Sequence, residues 1–163
     1  MSQLFSPNLF RSLALLLALC WWPFSAQAKE PNGADSFTGL IIGGHDTVAY
    51  HQPEAIAKHK RQIGNKQFSV DYNGAKWNFG NKQNADAFAQ DPERYTPAYN
   101  GHCANALSLG EGLYKTNGKT WEIFDDHLYV FYAPRGQKRW NNGNWSTYKG
   151  QADAAWAELS KDD

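Results

Sequence analysis

The chain has 163 residues, 16 basic and 16 acidic side chains, and a formal net charge of zero. That length is sufficient for one domain with a hydrophobic core. A balanced charge without a long basic run argues against nucleic-acid binding, which depends on a positively charged surface. The densest basic segment, residues 58–61, is interpreted as a solvated loop.

The first 28 residues have the three parts of a secretory signal peptide. Arg11 precedes an apolar run at residues 13–22, Pro23 follows it, and residues 26–28 read Ala-Gln-Ala, which suits a signal peptidase. The run is shorter than the ~20 residues of a membrane span. We therefore expect cleavage near Ala28 and a periplasmic or secreted protein without a membrane anchor.

The two cysteines, Cys20 and Cys103, have different fates in this interpretation. Cys20 leaves with the signal peptide; its use as a lipidated residue is disfavoured by the large Leu19 before it. Cys103 then has no intramolecular partner in an oxidising compartment, where a lone thiol is either buried and inert or kept for its chemistry.

The start of the mature chain is predicted from its turn residues. Residues 29–38 are polar and indicate a flexible lead-in, followed by one domain over residues 39–160. Residues 40–42 predict a short strand that ends at a Gly-Gly turn. Residues 45–50 predict a helical turn with Asp46 or Thr47 as its cap.

The clearest local pattern is a hairpin. Residues 67–72 and 75–79 alternate apolar and polar side chains, and Asn73-Gly74 between them is the favoured two-residue turn. The alternation predicts one shared apolar face, formed by Phe68, Val70, Tyr72, Ala75, Trp77 and Phe79.

The remaining elements complete an α+β class. We predict a helix at residues 82–90 with Asn81 as cap and with Ala85, Phe88 and Ala89 on its inner face. A helix at 103–109 and a second hairpin around Asp125-Asp126-His127 follow. Two helices, at 135–140 and about 145–159, end the chain. The fold class is therefore a small single domain with two antiparallel β-hairpins packed against several short helices.

Several segments together resemble a YHS domain. They are VDYNGAKWNF at residues 70–79, the helix with Phe88, and DPERY at 91–95. The later YNGHCA at 99–104, with Trp121, Leu128-Tyr129, Trp140 and DAAW at 153–156, is similar to exported bacterial YHS-domain proteins. The resemblance implies a small α+β module linked to metal binding, with a metal transporter or another exported protein as its partner.

The chain departs from the transporter-associated members of that family. Those members use cysteines flanking the aromatic hairpin and helix, where this chain has Val70, Trp77 and Ala85. Members also tend to carry an aromatic residue at the position of His102. The usual thiolate ligands are therefore missing from the hairpin, and His102 is either an additional ligand or a neutral exchange.

Cys103 is the first candidate for chemistry. It follows Gly101-His102 at the predicted start of a helix, where N–H groups and an imidazolium would favour a thiolate. Thiolate and imidazole together suit copper(I) or zinc. We expect a soft-metal site at Cys103 and His102, with His45 as the next ligand. The competing interpretation is a small buried core cysteine.

Two further functions remain open. A thiol redox module would use Cys103 alone, with the resolving thiol supplied by a partner or a small molecule. A non-catalytic ligand- or protein-binding domain would use its many aromatic side chains, with Cys103 structural. No carboxylate pair or nucleophile arrangement points to a hydrolase, so we expect a binding protein rather than an enzyme.

Overall fold

Two antiparallel hairpins organise residues 31–161, the part of the chain that this computed structural model describes. The strands are β1 (Asn65–Tyr72), β2 (Ala75–Phe79), β3 (Thr120–Phe124) and β4 (His127–Phe131). The helices are α1 (Thr47–Tyr50), α2 (Pro53–Lys58), α3 (Lys82–Gln90), α4 (Pro92–Tyr95), α5 (Ala104–Ser108), α6 (Pro134–Asn142) and α7 (Trp145–Leu159). This arrangement confirms the predicted α+β class. The predicted signal peptide, residues 1–28, lies outside the described residues.

The β1–β2 hairpin forms where the alternating pattern predicts it. Val70 pairs with Trp77 and Tyr72 with Ala75. Asn73 and Gly74 have φ angles of 46° and 65°, the two positive values that a tight turn of this type requires. The shared apolar face is confirmed, because all six of its predicted residues pack in one core cluster with Phe88.

The β3–β4 hairpin stands between two core clusters. Leu128 and Val130 of β4 face the first cluster, which contains the β1–β2 hairpin. Tyr129 and Phe131 face the second cluster, which contains α5, α6 and α7. Successive side chains of a strand point to opposite faces, so a strand buried on both faces is apolar at every position. Residues 128–131 of β4 show that pattern.

The α3 helix begins where the sequence predicts it, but one of the side chains on its inner face differs from the prediction. The Asn81 side chain accepts a hydrogen bond from Asn84 N over 2.8 Å and caps the helix. Ala85 and Phe88 are buried, as expected. The prediction for Ala89 is wrong: Ala89 is exposed, and Ala87 packs against the core instead.

Residues 40–42 do not form the predicted strand. Leu40 makes a single bridge to Lys76, and Ile41–Gly44 then forms a 3-10 turn. Ile42 and Gly43 have φ angles of 40° and 66°, values that an extended strand excludes. The β-branched isoleucines suggested a strand, but both are fully buried in the turn, so tertiary packing outweighs their local preference.

The described part of the predicted lead-in is attached to the domain by hydrogen bonds. Gly33 N donates to Asn100 O over 2.8 Å, and Asn32 Nδ2 donates to Asn73 O over 3.0 Å. Pro31 O accepts a hydrogen bond from Asn100 Nδ2 over 3.2 Å. These bonds place residues 31–33 against the β1–β2 turn and against the segment that precedes Cys103.

The C-terminal helices pack as the sequence predicts. Ala152 of α7 and Trp140 of α6 are fully buried in the second cluster, and Tyr148, Ala155, Trp156 and Leu159 pack against it. Arg139 of α6 joins α5 by donating to Asn105 Oδ1 over 3.0 Å and to Ser108 Oγ over 2.9 Å. Within residues 31–161, the helices are too short or too polar to cross a membrane.

Candidate functional site

Cys103 lies immediately before α5, as its N-cap residue, and is a free thiol. Its backbone N–H donates to Tyr114 O over 2.8 Å, and its sulfur accepts a hydrogen bond from Tyr132 N over 3.2 Å. The α5 helix has only five residues, so the sulfur takes its donor from the end of β4 and not from the helix.

The Cys103 residue is only 4% exposed, yet it lines a pocket of about 200 Å³. Three chain segments form the pocket: the start of α5, the loop after α5, and the connection from β4 to α6. Its lining residues are Cys103, Asn105, Ala106, Glu111, Tyr114, Tyr132, Ala133, Arg135 and Gly136. A small molecule therefore reaches the surroundings of the thiol without unfolding of the core.

Tyr114 and Tyr132 form the aromatic side of this pocket. Their rings meet edge to face with 6.1 Å between centroids. The two residues are 48% and 67% exposed, so they stand at the mouth while Cys103 lies deeper. Large aromatic side chains with polar tips recur at binding surfaces because they offer both contact area and hydrogen bonds.

Gly136 sets how closely α6 approaches α5 at the pocket wall. A Cβ atom on this residue would stand 2.8 Å from the Asn105 Cβ atom. The absence of a side chain there lets the two helices meet, and the Arg139 hydrogen bonds hold them together. This part of the pocket wall is consequently formed by two packed helices.

His102 is adjacent to Cys103 and turns its ring into the protein. The residue is 3% exposed, and its Nδ1 lies 3.0 Å from Tyr99 O. Because a carbonyl oxygen only accepts, Nδ1 carries the proton. Burial lowers the pKa of His102, which favours the neutral ring and leaves the lone pair on Nε2. A neutral histidine oriented by a backbone carbonyl is the usual state of a metal-ligating histidine.

His45 shows the same arrangement in another part of the core. It is 4% exposed, its Nδ1 lies 3.0 Å from Ile42 O, and burial lowers its pKa. Its ring lies 6.3 Å from that of Tyr50, a member of the first cluster, whereas Cys103 belongs to the second.

The three predicted ligands are not assembled into one group. Among residues 31–161, no set of three or more histidine, cysteine, aspartate and glutamate side chains is placed to hold a metal ion. Metal binding by Cys103, His102 or His45 therefore stays a prediction. Cys103 is a suitable single soft donor for copper(I) or zinc, but the donor set does not make a closed site of the four-ligand structural type.

None of the five histidines is among the residues that line the pocket. His59 and His127 are exposed. His59 stacks on Trp121 with 4.9 Å between ring centroids, and its Nε2 lies 3.3 Å from Glu122 Oε2. This contact fastens the end of α2 to β3. None of these residues adds a ligand to the Cys103 pocket.

Sequence reasoning missed the residues that surround the thiol. From the sequence, no role at the thiol is predicted for Glu111, Tyr114, Tyr132 or Arg135. These residues are 8 to 32 positions from Cys103 along the chain and share no motif with it. The only available signal was the predicted second hairpin, whose end at residue 132 returns the chain toward the following helix.

Comparison with known proteins gives one match, to a protein family. The family model of the YHS domain matches residues 59–99, which include β1, β2, α3 and α4. No curated protein and no solved structure matches the chain. The matched segment ends just before His102 and Cys103, so the thiol pocket follows the family core directly. Residues 59–99 of the chain are therefore similar to a YHS domain.

Proposed function

We propose that this protein is an exported accessory protein that binds a soft metal ion, copper(I) or zinc, through the thiolate of Cys103. The observation that supports the proposal is that Cys103, although only 4% exposed, is one of the residues that line an open pocket. A buried structural cysteine would need no such access. The match to a family associated with metal binding points to the same function.

The residues around the thiol have defined roles in this proposal. Tyr132 N–H donates to the sulfur over 3.2 Å and holds it in place. Neutral His102 is the proposed assisting ligand because its Nδ1–H is occupied by Tyr99 O and its Nε2 retains a lone pair. His45, in the other core cluster, is the weakest of the three proposed ligands. A soft metal held here would be stored or passed on, with no reaction required of it.

Export is the second part of the proposal. The predicted signal peptide and the single cysteine of the mature chain support a periplasmic or secreted location. In that compartment a thiol without an intramolecular partner stays available for a metal or for another protein. A metal transporter or another exported protein is the proposed partner.

A competition titration tests the metal site. The mature chain, beginning at Lys29 and kept reduced, is titrated with copper(I) in the presence of a coloured copper(I) chelator, and separately with zinc. We expect one equivalent of metal to be withdrawn from the chelator by the unmodified protein and none by Cys103→Ser. Equal withdrawal by both proteins would reject Cys103 as the ligand.

Thiol redox chemistry is the alternative that one observation favours. The pocket gives a small disulfide access to a sulfur that already accepts a hydrogen bond. In that case a disulfide R–S–S–R would exchange with the Cys103 thiolate to give a Cys103–S–S–R mixed disulfide and a free R–S⁻. Rapid formation of this adduct, with no copper(I) withdrawn from the chelator, would favour the alternative over the metal site.

A further inference from the structure

The Cys103 pocket carries one negative and one positive side chain that do not pair with each other. Glu111 and Arg135 both line it. Within residues 31–161, no ion pair joins them, and neither side chain has another hydrogen-bonding or ionic partner. Other surface charges do pair, as Lys82 with Asp86 and Lys149 with Asp153 illustrate.

The remaining pocket walls limit what these two charges can recognise. A volume of about 200 Å³ is below the ~300 Å³ at which sites for drug-sized ligands begin. The aromatic rings of Tyr114 and Tyr132 cover one side, and the sulfur of Cys103 borders the interior. An occupant that satisfied all of these groups would be small and would carry both charges and a soft atom.

We propose that the pocket binds a small zwitterionic thiol, an amino acid or short peptide with one amine, one carboxylate and one sulfhydryl group. Its carboxylate pairs with Arg135, which offers a fork of N–H donors suited to that group. Its amine pairs with Glu111, and its sulfur lies beside the sulfur of Cys103. The two tyrosine rings cover the aliphatic part between these groups.

This inference rests on the proposed function in one respect. Cys103 alone is an incomplete soft-metal site, and a second sulfur delivered by the bound thiol would add the donor that the chain does not assemble itself. The protein would then recognise a metal together with its low-molecular-weight carrier. Recognition of the carrier by Glu111 and Arg135 requires no metal, which makes the two claims separable.

The test uses the reduced, metal-free mature protein and three thiols that differ only in their charged groups. L-cysteine carries both charges, 3-mercaptopropionate lacks the amine, and cysteamine lacks the carboxylate. Binding is followed by the amide NMR signals of the pocket residues. The variants are Glu111→Gln and Arg135→Gln, with Lys138→Gln as a matched control, because Lys138 is an exposed cation of α6 that does not line the pocket.

We expect L-cysteine to bind more tightly than either partial analogue. Partly exposed charge pairs are worth little, so each variant should weaken L-cysteine binding about threefold to fivefold. Glu111→Gln should leave 3-mercaptopropionate binding unchanged, and Arg135→Gln should leave cysteamine binding unchanged. Lys138→Gln should change none of the three.

Two results would overturn the inference. One is that L-cysteine produces no shift of pocket signals; the other is that both charge variants weaken all three thiols equally. Either result would reject the proposed ligand class. The metal site would still be supported if the unmodified protein withdraws copper(I) from the chelator and Cys103→Ser does not. Loss of copper(I) binding alone would reject the proposed function and leave recognition of the thiol intact.

Discussion

The backbone N–H of Tyr132 donates a hydrogen bond to the sulfur of Cys103 over 3.2 Å. The two residues are 29 positions apart along the chain, and the bond joins the end of β4 to the start of α5. It also fixes the sulfur beside the pocket that both residues line. The thiol consequently has a structural contact and an accessible face at the same time.

We predict that Cys103→Ser folds, because a serine oxygen also accepts the Tyr132 N–H. Placing a hydroxyl where a buried thiol stood should lower the free energy of unfolding by about 1–2 kcal/mol. Urea denaturation followed by tryptophan fluorescence measures the change. Tyr132→Ala is the control, because it keeps the backbone N–H donor and removes a side chain that is mostly exposed, in a residue 67% exposed. It should lower the free energy of unfolding by less than Cys103→Ser does. A serine variant that failed to fold would show that the sulfur has a larger packing role.

Stability should fall in mild acid because partial or full burial favours the neutral form of three histidines. Burial lowers the pKa of His45, His51 and His102 from the ordinary value of 6.5. Below that value the unfolded chain takes up protons that the folded protein resists. The free energy of unfolding is therefore at its full value above about pH 6.5 and decreases as the pH falls below it.

His51 offers the sharpest variant for this pH dependence. Both of its ring nitrogens are buried and have no hydrogen-bond partner among residues 31–161, while Asp126, Arg94 and His127 act on it electrostatically. His51→Leu removes a titrating group and breaks no hydrogen bond. We expect the loss of stability between about pH 7.5 and about pH 5, measured by urea denaturation, to be smaller in this variant. An unchanged loss would mean that His51 does not contribute.

Asp46 should be the most important buried carboxylate of the domain. Its residue is fully buried, and its side chain accepts hydrogen bonds from Ala49 N over 3.0 Å and from Gly80 N and Asn84 Nδ2 over 2.7 Å each. Asp46→Ala leaves these donors unsatisfied and should lower the free energy of unfolding by about 3 kcal/mol.

The matched control for Asp46 is an exposed cap of the same kind. Asn81→Ala removes one hydrogen bond, to Asn84 N, at the start of α3 and should cost about 1 kcal/mol. Both variants are compared by thermal unfolding and by urea denaturation. Equal costs for the two variants would contradict the role assigned to Asp46 as a connection between α1, β2 and α3.

Two glycines should respond to alanine in opposite directions. A Cβ atom on Gly64 would stand 2.3 Å from the backbone carbonyl of Asn78, so the chain would have to move. Gly64→Ala should cost about 2 kcal/mol or more. Gly150 lies inside α7 with no atom within 4 Å of an added Cβ, so Gly150→Ala should raise stability by about 0.5–1 kcal/mol. Melting temperatures of the two variants that shift in the same direction would refute this assignment.

The sequence predicted the elements whose signals are local. Asn73-Gly74 favours a two-residue hairpin turn, and apolar and polar side chains alternate on both sides of it, so the first hairpin could be predicted. Asn81 is a favourable cap residue and likewise indicates the start of α3. The strand predicted at Ile41 and Ile42 was wrong because burial of both side chains in a turn outweighs the preference of isoleucine for β-strands. Ala87 faces inward in place of Ala89 because the helix is rotated about its axis relative to the prediction. The periodicity of apolar residues does not determine that rotation so finely.

Of the candidate site, only Cys103 could be predicted from the sequence. Cys103 could be singled out because it is the lone thiol of the predicted mature chain. The walls of its pocket come from three segments, and their meeting depends on the β3–β4 hairpin and on the close approach of α5 and α6 at Gly136. His102 and His45 are likewise buried because the backbone turns just before them, at residues 99–101 and 42–44. No sequence motif predicts these two turns.

The reactivity of Cys103 in the folded, reduced mature protein tests the central claim most directly. The rate of alkylation by a small reagent is measured in native buffer and in urea, with and without copper(I). We predict that Cys103 is labelled through its pocket in native buffer and that one equivalent of copper(I) prevents labelling. Labelling that occurs only in urea, or that copper(I) leaves unchanged, would contradict a soft-metal site at this thiol.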